Sequence, residues 1–142
     1  MLDGAGTHRV LICQSGETDA TVFENLVIQN GYAQSGGAGG FDGGDGGGMY
    51  MLDCTPTLVN CHFLYNRANS EAGGLNVNGS DAHPILTDCV FIGNEARYGG
   101  AIYLEQSNIT MTDCRFEANA ATGATSSDGG AFYLNYRCLA VL

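Results

Sequence analysis

Gly46-Gly47-Gly48-Met49-Tyr50-Met51, Ala72-Gly73-Gly74-Leu75-Asn76-Val77, Gly99-Gly100-Ala101-Ile102-Tyr103-Leu104 and Gly129-Gly130-Ala131-Phe132-Tyr133-Leu134 are four copies of one pattern. Their reading decides the fold. With Gly47, Gly73, Gly100 and Gly130 as equivalents, the steps between copies are 26, 27 and 30 residues. Within each copy the apolar residues alternate: Met49 with Met51, Leu75 with Val77, Ile102 with Leu104, Phe132 with Leu134. A period of two is the signature of a strand, so each copy predicts a short strand entered through a glycine turn.

A second motif interleaves with the first: Pro56-Thr57-Leu58-Val59-Asn60-Cys61-His62-Phe63, Pro84-Ile85-Leu86-Thr87-Asp88-Cys89-Val90-Phe91 and Ile109-Thr110-Met111-Thr112-Asp113-Cys114-Arg115-Phe116. Leu58 and Cys61 are an odd step apart, so they cannot share one face of a straight strand. A bend is therefore expected near Asn60, Asp88 and Asp113. Three short strands per coil, repeating every 25–30 residues, give an all-β fold: a right-handed parallel β-helix of about four to five coils. Helical repeats of similar length would need amphipathic stretches of about ten or more residues with few glycines, and a propeller blade needs about 40 residues.

The chain reads as a single domain over 1–142. It comprises a degenerate first coil at 1–45, a Gly-rich insert at 36–48, regular coils over 46–134 and an uncapped end at 135–142. Val10-Leu11-Ile12 and Leu26-Val27-Ile28-Gln29-Asn30 stand for the two motifs in the first coil.

Equivalent positions of successive coils sit about 4.8 Å apart in such a solenoid. Three inner columns follow: Phe63, Phe91 and Phe116; Cys61, Cys89 and Cys114; and a ladder of Asn66, Asn94 and Asn119 at a turn, where Asn tolerates the left-handed conformation. The Phe-x-x-Asn motifs alternating with Gly-Gly-Ala-Ile at 99–102 and its variants resemble the repeats of the chlamydial polymorphic outer membrane protein family, over roughly residues 46–134. That resemblance implies a secreted or autotransported β-helical passenger, extracellular or at the cell surface, with a part in adhesion. The shared motifs are scaffold, so the resemblance carries over no functional residue.

Charge and composition narrow the partners. Fifteen Asp and Glu against five Lys and Arg give a formal net charge of −10, which disfavours nucleic acid and anionic membranes. No apolar run approaches the ~18 residues of a membrane span, so membrane insertion is not expected. Met1 to Thr7 lacks the basic and apolar regions of a signal peptide, which places any export signal outside this stretch.

Asp88 and Asp113 occupy equivalent corners of adjacent coils and are the best candidates for a carboxylate pair of a carbohydrate-active β-helix, a polysaccharide lyase or glycoside hydrolase. The competing reading is that they cap the bend, and on balance no enzyme is expected. Asp42 and Asp45 in the Gly-rich insert are weak calcium candidates, two carboxylates where calcium wants six to eight oxygens; no other cofactor is indicated. The six cysteines lack C-x-x-C spacing, though Cys13 and Cys54, read as lying near turns, can pair between neighbouring coils. Tyr50, Tyr103 and Tyr133 share one outward column, interrupted by Asn76, and read as an exposed surface for a host protein or carbohydrate. An extracellular structural or adhesive module is the expected function. Its uncapped coil ends would meet either further repeats of a longer parent or a second copy of the chain, the latter giving filaments.

Overall fold

The computed structural model describes residues 1–34, 43–123 and 128–142. The chain winds through four parallel sheets in fixed order, which we label I to IV. Sheet I holds Leu11–Cys13, Met49–Leu52, Leu75–Asn78, Ile102–Glu105 and Phe132–Asn135. Sheet II holds Val22–Glu24, Thr57–Val59, Ile85–Thr87, Asn108–Thr112 and Leu139–Val141. Sheet III holds Leu2–Asp3, Val27–Gln29, His62–Leu64, Val90–Ile92 and Arg115–Glu117. Sheet IV is made of the two-residue strands Tyr32–Ala33, Arg67–Ala68, Glu95–Ala96 and Ala120–Ala121. Four complete turns with a partial turn at each end make about five, and no helix occurs among the described residues.

Three strands per coil were expected, and sheet IV is a fourth. Its strands are too short for alternation to show in the sequence. Ala33, Ala68 and Ala96 form a small cluster of their own beside the main core, because only a methyl fits where the chain turns back so soon.

Every corner is made by a residue in the left-handed region, and each corner repeats it from coil to coil. Between sheets I and II stand Asp53, Gly79, Gln106 and Tyr136; between II and III, Asn25, Asn60, Asp88 and Asp113, with φ from 49 to 56°. Between III and IV stand Asn30, Tyr65, Gly93 and Ala118; between IV and I, Gly46, Ala72, Gly99 and Gly129. The bend at Asn60, Asp88 and Asp113 thus falls where the odd step placed it. The Asn ladder is displaced by one residue from expectation: Tyr65, Gly93 and Ala118 take the left-handed conformation, and the asparagines follow them. Gly46 to Gly48, counted in both the insert and the repeat, take the repeat's corner geometry; residues 35–42 lie outside the described residues.

The core runs along the axis as stacked columns. Met49, Leu75 and Ile102, then Met51, Val77 and Leu104, line sheet I; Leu58, Leu86 and Met111 line sheet II; Phe63 and Phe91 fill sheet III. Phe63 stacks on Phe91 at 4.6 Å between ring centroids and Phe91 on Phe116 at 5.0 Å, close to the spacing the backbone imposes. At the far end Met111, Asp113, Cys114, Phe116, Phe132 and Leu142 line an open cavity of about 230 Å³.

Candidate functional site

The repeated polar residues saturate one another. Asn94 accepts from the Asn66 backbone N–H at 3.1 Å and from Asn66 Nδ2 at 3.0 Å. It donates through Nδ2 to the Phe63 carbonyl and to Asn119 Oδ1, both at 2.9 Å. Asn66 bonds in the same way to Ile28 and Gly31 on the preceding coil. Asn66 and Asn94 are fully buried, so the ladder replaces water at every amide it removes from solvent.

The corner carboxylates are solvent-facing. Asp88 and Asp113 are exposed, in register on adjacent coils, and the Asp88 N–H donates to the Thr112 carbonyl at 3.0 Å. One step back along this column, Asn60 Nδ2 donates to Asn25 Oδ1 at 2.7 Å.

The outer face of sheet I differs from expectation. Tyr50, Tyr103 and Tyr133 do share one column with Ile12 and Asn76, but Tyr50 and Tyr103 are only 5% and 2% exposed. They are not an open contact surface. The connection from sheet IV to sheet I runs back over this face, its Glu71, Tyr98 and Asp128 joined by parallel bridges. Arg9 covers Tyr50 at 5.1 Å and donates to the Asp45 carbonyl, while Tyr98 lies 5.5 Å from the half-buried Tyr133. Pattern alone places a side chain on a face; a returning segment decides whether that face meets water.

Under this roof sits a polar centre that the sequence did not flag. Glu71 accepts from Asn76 Nδ2 at 3.3 Å and from the Tyr103 hydroxyl, and its backbone N–H donates to Asp45 Oδ1 at 3.1 Å. Burial, and then the neighbouring Asp45 carboxylate, push the Glu71 carboxyl up to about 7, against the opposing hydrogen bonds from Tyr103 and Asn76. The Tyr103 hydroxyl is pushed upward too, first by burial and then by Glu71. Asn76 Oδ1 is buried and has no hydrogen-bond partner among the described residues. A carboxyl near half-protonation at neutral pH can give or take a proton there, and a protonated Glu71 would supply the donor Asn76 lacks once its amide is turned over.

With sheets, corners and columns in place, the comparison with known families is direct: residues 5–137 match the family model of the right-handed β-helix region. The chain belongs to that family. No curated protein and no solved structure matches this β-helix significantly.

The β-helix places the other candidates as follows. Cys61 and Cys89 are fully buried, whereas Cys114, expected in the same buried column, is partly exposed because it lies on the last coil of the column. Cys89, the middle thiol, is held well above the ordinary thiol range by its hydrogen bonds to Cys114 and Cys61, with burial adding to them. Cys13, expected near a turn, is instead an inward strand residue in register with Met51. Asp45 belongs to the roof, and Asp42 lies outside the described residues.

A second surface was missed in the sequence. Val22, Thr57, Ile85, Thr110 and Val141 form one outward row on sheet II, with Val22 54%, Ile85 41% and Val141 48% exposed. The signal was present in the alternation of Thr57, Ile85 and Thr110 with buried neighbours. β-Branched residues suit any strand, so only exposure marks this row.

Proposed function

We propose that this β-helix is a non-enzymatic structural or adhesive segment of a secreted or cell-surface protein, and that the sheet II row is its contact face. The observation that carries the reading is that row: β-branched side chains in register over five coils, partly open to solvent. Val22, Ile85 and Val141 alternate along it with Thr57 and Thr110, so the face offers methyl groups and hydroxyls together, the mixture a protein or carbohydrate partner can meet. The resemblance of the paired motifs to chlamydial polymorphic outer membrane protein repeats supports an extracellular setting and a host protein or carbohydrate as partner. Along the axis, the strands Phe132–Asn135 and Leu139–Val141 are each paired on one side, and Leu134 and Leu139 are exposed. Another coil fits there, supplied by a longer chain or by a second copy, which would build a filament.

The test is adherence of beads coated with the chain to host cells and to a polysaccharide panel. Ile85→Lys with Thr110→Lys should reduce adherence several-fold while leaving the β-sheet circular dichroism intact. Equal adherence by this variant sinks the contact face, and antibody labelling of source cells only after permeabilisation sinks the surface location.

The alternative is a carbohydrate-active β-helix. Two exposed carboxylates, Asp88 and Asp113, on adjacent coils about 4.8 Å apart favour it. Depolymerisation of an acidic polysaccharide that is lost in Asp88→Asn with Asp113→Asn would establish this reading in place of the first.

A further inference from the structure

Soft ligand atoms converge at the corner between sheets I and II of the first two coils. Cys13 points inward from the first strand of sheet I, the chain turns at Gly16 with φ of 77°, and Glu17 returns to the same corner. Cys54 arrives from the next coil. The Sγ atoms of Cys13 and Cys54 and a carboxylate oxygen of Glu17 all lie within 4.8 Å of one another, with Cys13 Sγ 3.3 Å from Glu17 Oε2. Both thiols are free and buried, and Glu17 is partly exposed.

The cluster is held from two sides. The Ser15 N–H donates to Glu17 Oε2 at 2.8 Å, and the Glu17 carbonyl accepts from the N–H of Thr55, next to Cys54, at 2.8 Å. These backbone bonds fix the acid on one coil against the thiol on the other, so little ordering remains for a ligand to impose.

Comparison with later coils separates what the fold requires from what it does not. Cys54 donates to the Cys13 carbonyl at 3.2 Å, as Ser107 donates to Val77 at 2.9 Å and Cys138 to Leu104 at 3.3 Å. That corner needs only a small donor, and serine serves as well as cysteine. The position of Cys13 is filled by Met51, Val77, Leu104 and Leu134 in the other coils, all apolar. A thiol there, beside a carboxylate with its own backbone donor, is unique to the first coil, and packing does not account for it.

We propose that Cys13, Cys54 and Glu17 form a binding site for one thiophilic divalent cation of the zinc class. Two thiolates and a carboxylate match the ligands and tetrahedral habit of Zn²⁺, with Zn–S about 2.3 Å and Zn–O about 2.0–2.2 Å, so ligand atoms roughly 3.3–3.8 Å apart suffice. Calcium and magnesium, which take oxygen ligands, are excluded by the two sulfurs. The thiols release their protons to solvent on binding, and the fourth position opens on the partly exposed side of Glu17. Because the ligands come from two coils, the cation clips the first coil to the second.

The test uses the full chain, reduced and freed of metal, titrated with Zn²⁺ and, for its thiolate absorption, with Cd²⁺. One Zn²⁺ per chain should bind, and alkylation of Cys13 and Cys54, which reaches these buried thiols only when the first coil opens, should slow at least about tenfold and so mark them as protected, while Cys114 stays as reactive as before. Cys13→Ser and Cys54→Ser should abolish stoichiometric binding, and Glu17→Gln should weaken it by at least about tenfold, the cost of losing even a hydrogen-bond partner of a ligand. Cys114→Ser should bind as the unaltered chain does. Three results overturn the site: no uptake by the unaltered chain, uptake without protection of Cys13 and Cys54, or a chain isolated with a Cys13–Cys54 disulfide that takes up no cation once reduced. The protection measurement needs no substitution, so a variant that fails to fold leaves the answer intact.

Discussion

Asn94 and Asn76 are both fully buried asparagines, less than one coil apart in sequence, yet their surroundings differ in kind. Asn94 stands in a column of identical residues, and each member bonds the next; its donors and acceptors are filled by Asn66, Asn119 and Phe63. Asn76 stands between Tyr50 and Tyr103 in a column that holds no other amide, and one of its atoms is left without a partner. A repeat turns a buried amide into a stabilising element because the preceding and following coils present complementary groups at a fixed spacing. A single exception in a column has no such neighbour and depends on whatever crosses over it, here Glu71.

The largest expected effect falls on the ladder. Asn94→Ala should cost roughly 3–5 kcal/mol, since it strands several buried partners at about 1–3 kcal/mol each. Asn76→Leu should cost only about 1 kcal/mol, because the lost hydrogen bond to Glu71 is offset in part by removal of a buried oxygen that already lacks a partner. Urea midpoints of the two variants measure the contrast, and equal losses would break it.

Glu71 sharpens the same contrast through pH. Its carboxyl is raised from 4.5 to about 7 in the folded chain, so the folded state holds the proton more tightly than the unfolded state. The contribution of Glu71 to stability is therefore fully present below pH 4.5, is lost as pH rises toward 7, and changes no further above it, whereas the lowered carboxyls of Asp3 and Glu17 act in the opposite sense at acid pH. Discounted for partial exposure, the loss is about 2 kcal/mol. Glu71→Gln should remove that slope and be more stable than the unaltered chain at pH 8 by a similar amount. Thermal melts of both between pH 4 and 8 check it, and parallel curves would contradict the buried acid.

The smallest effect concerns a corner. Gly46, Gly99 and Gly129 take positive φ between sheets IV and I, and Ala72 does so at 51° with a side chain attached. Ala72→Gly should stay within about 0.5 kcal/mol of the unaltered chain, because relief of left-handed strain is offset by the entropy of an added glycine and the loss of a fully buried methyl. A calorimetric loss above about 1 kcal/mol would show that the corner carries no such strain.

The order of the strands, the bend at Asn60, Asp88 and Asp113, and the Phe, Asn and Cys columns were legible in the sequence, because a solenoid writes each contact as a repeat. The positions of the ladder's left-handed residues and the existence of sheet IV were not, since neither changes the alternation of apolar residues. Among candidate sites, the corner aspartates could be placed by register alone. Glu71, the roof over Tyr50 and Tyr103, and the meeting of Cys13, Glu17 and Cys54 could not. Each of these joins a segment of irregular length to a neighbouring coil, and such a segment carries no period from which its path can be read. Local alternation and spacing along the chain determined the columns; the path of the connections outside the sheets decided which faces are covered and which reactive groups meet, because burial and proximity are properties of the packed coil rather than of any one stretch of it.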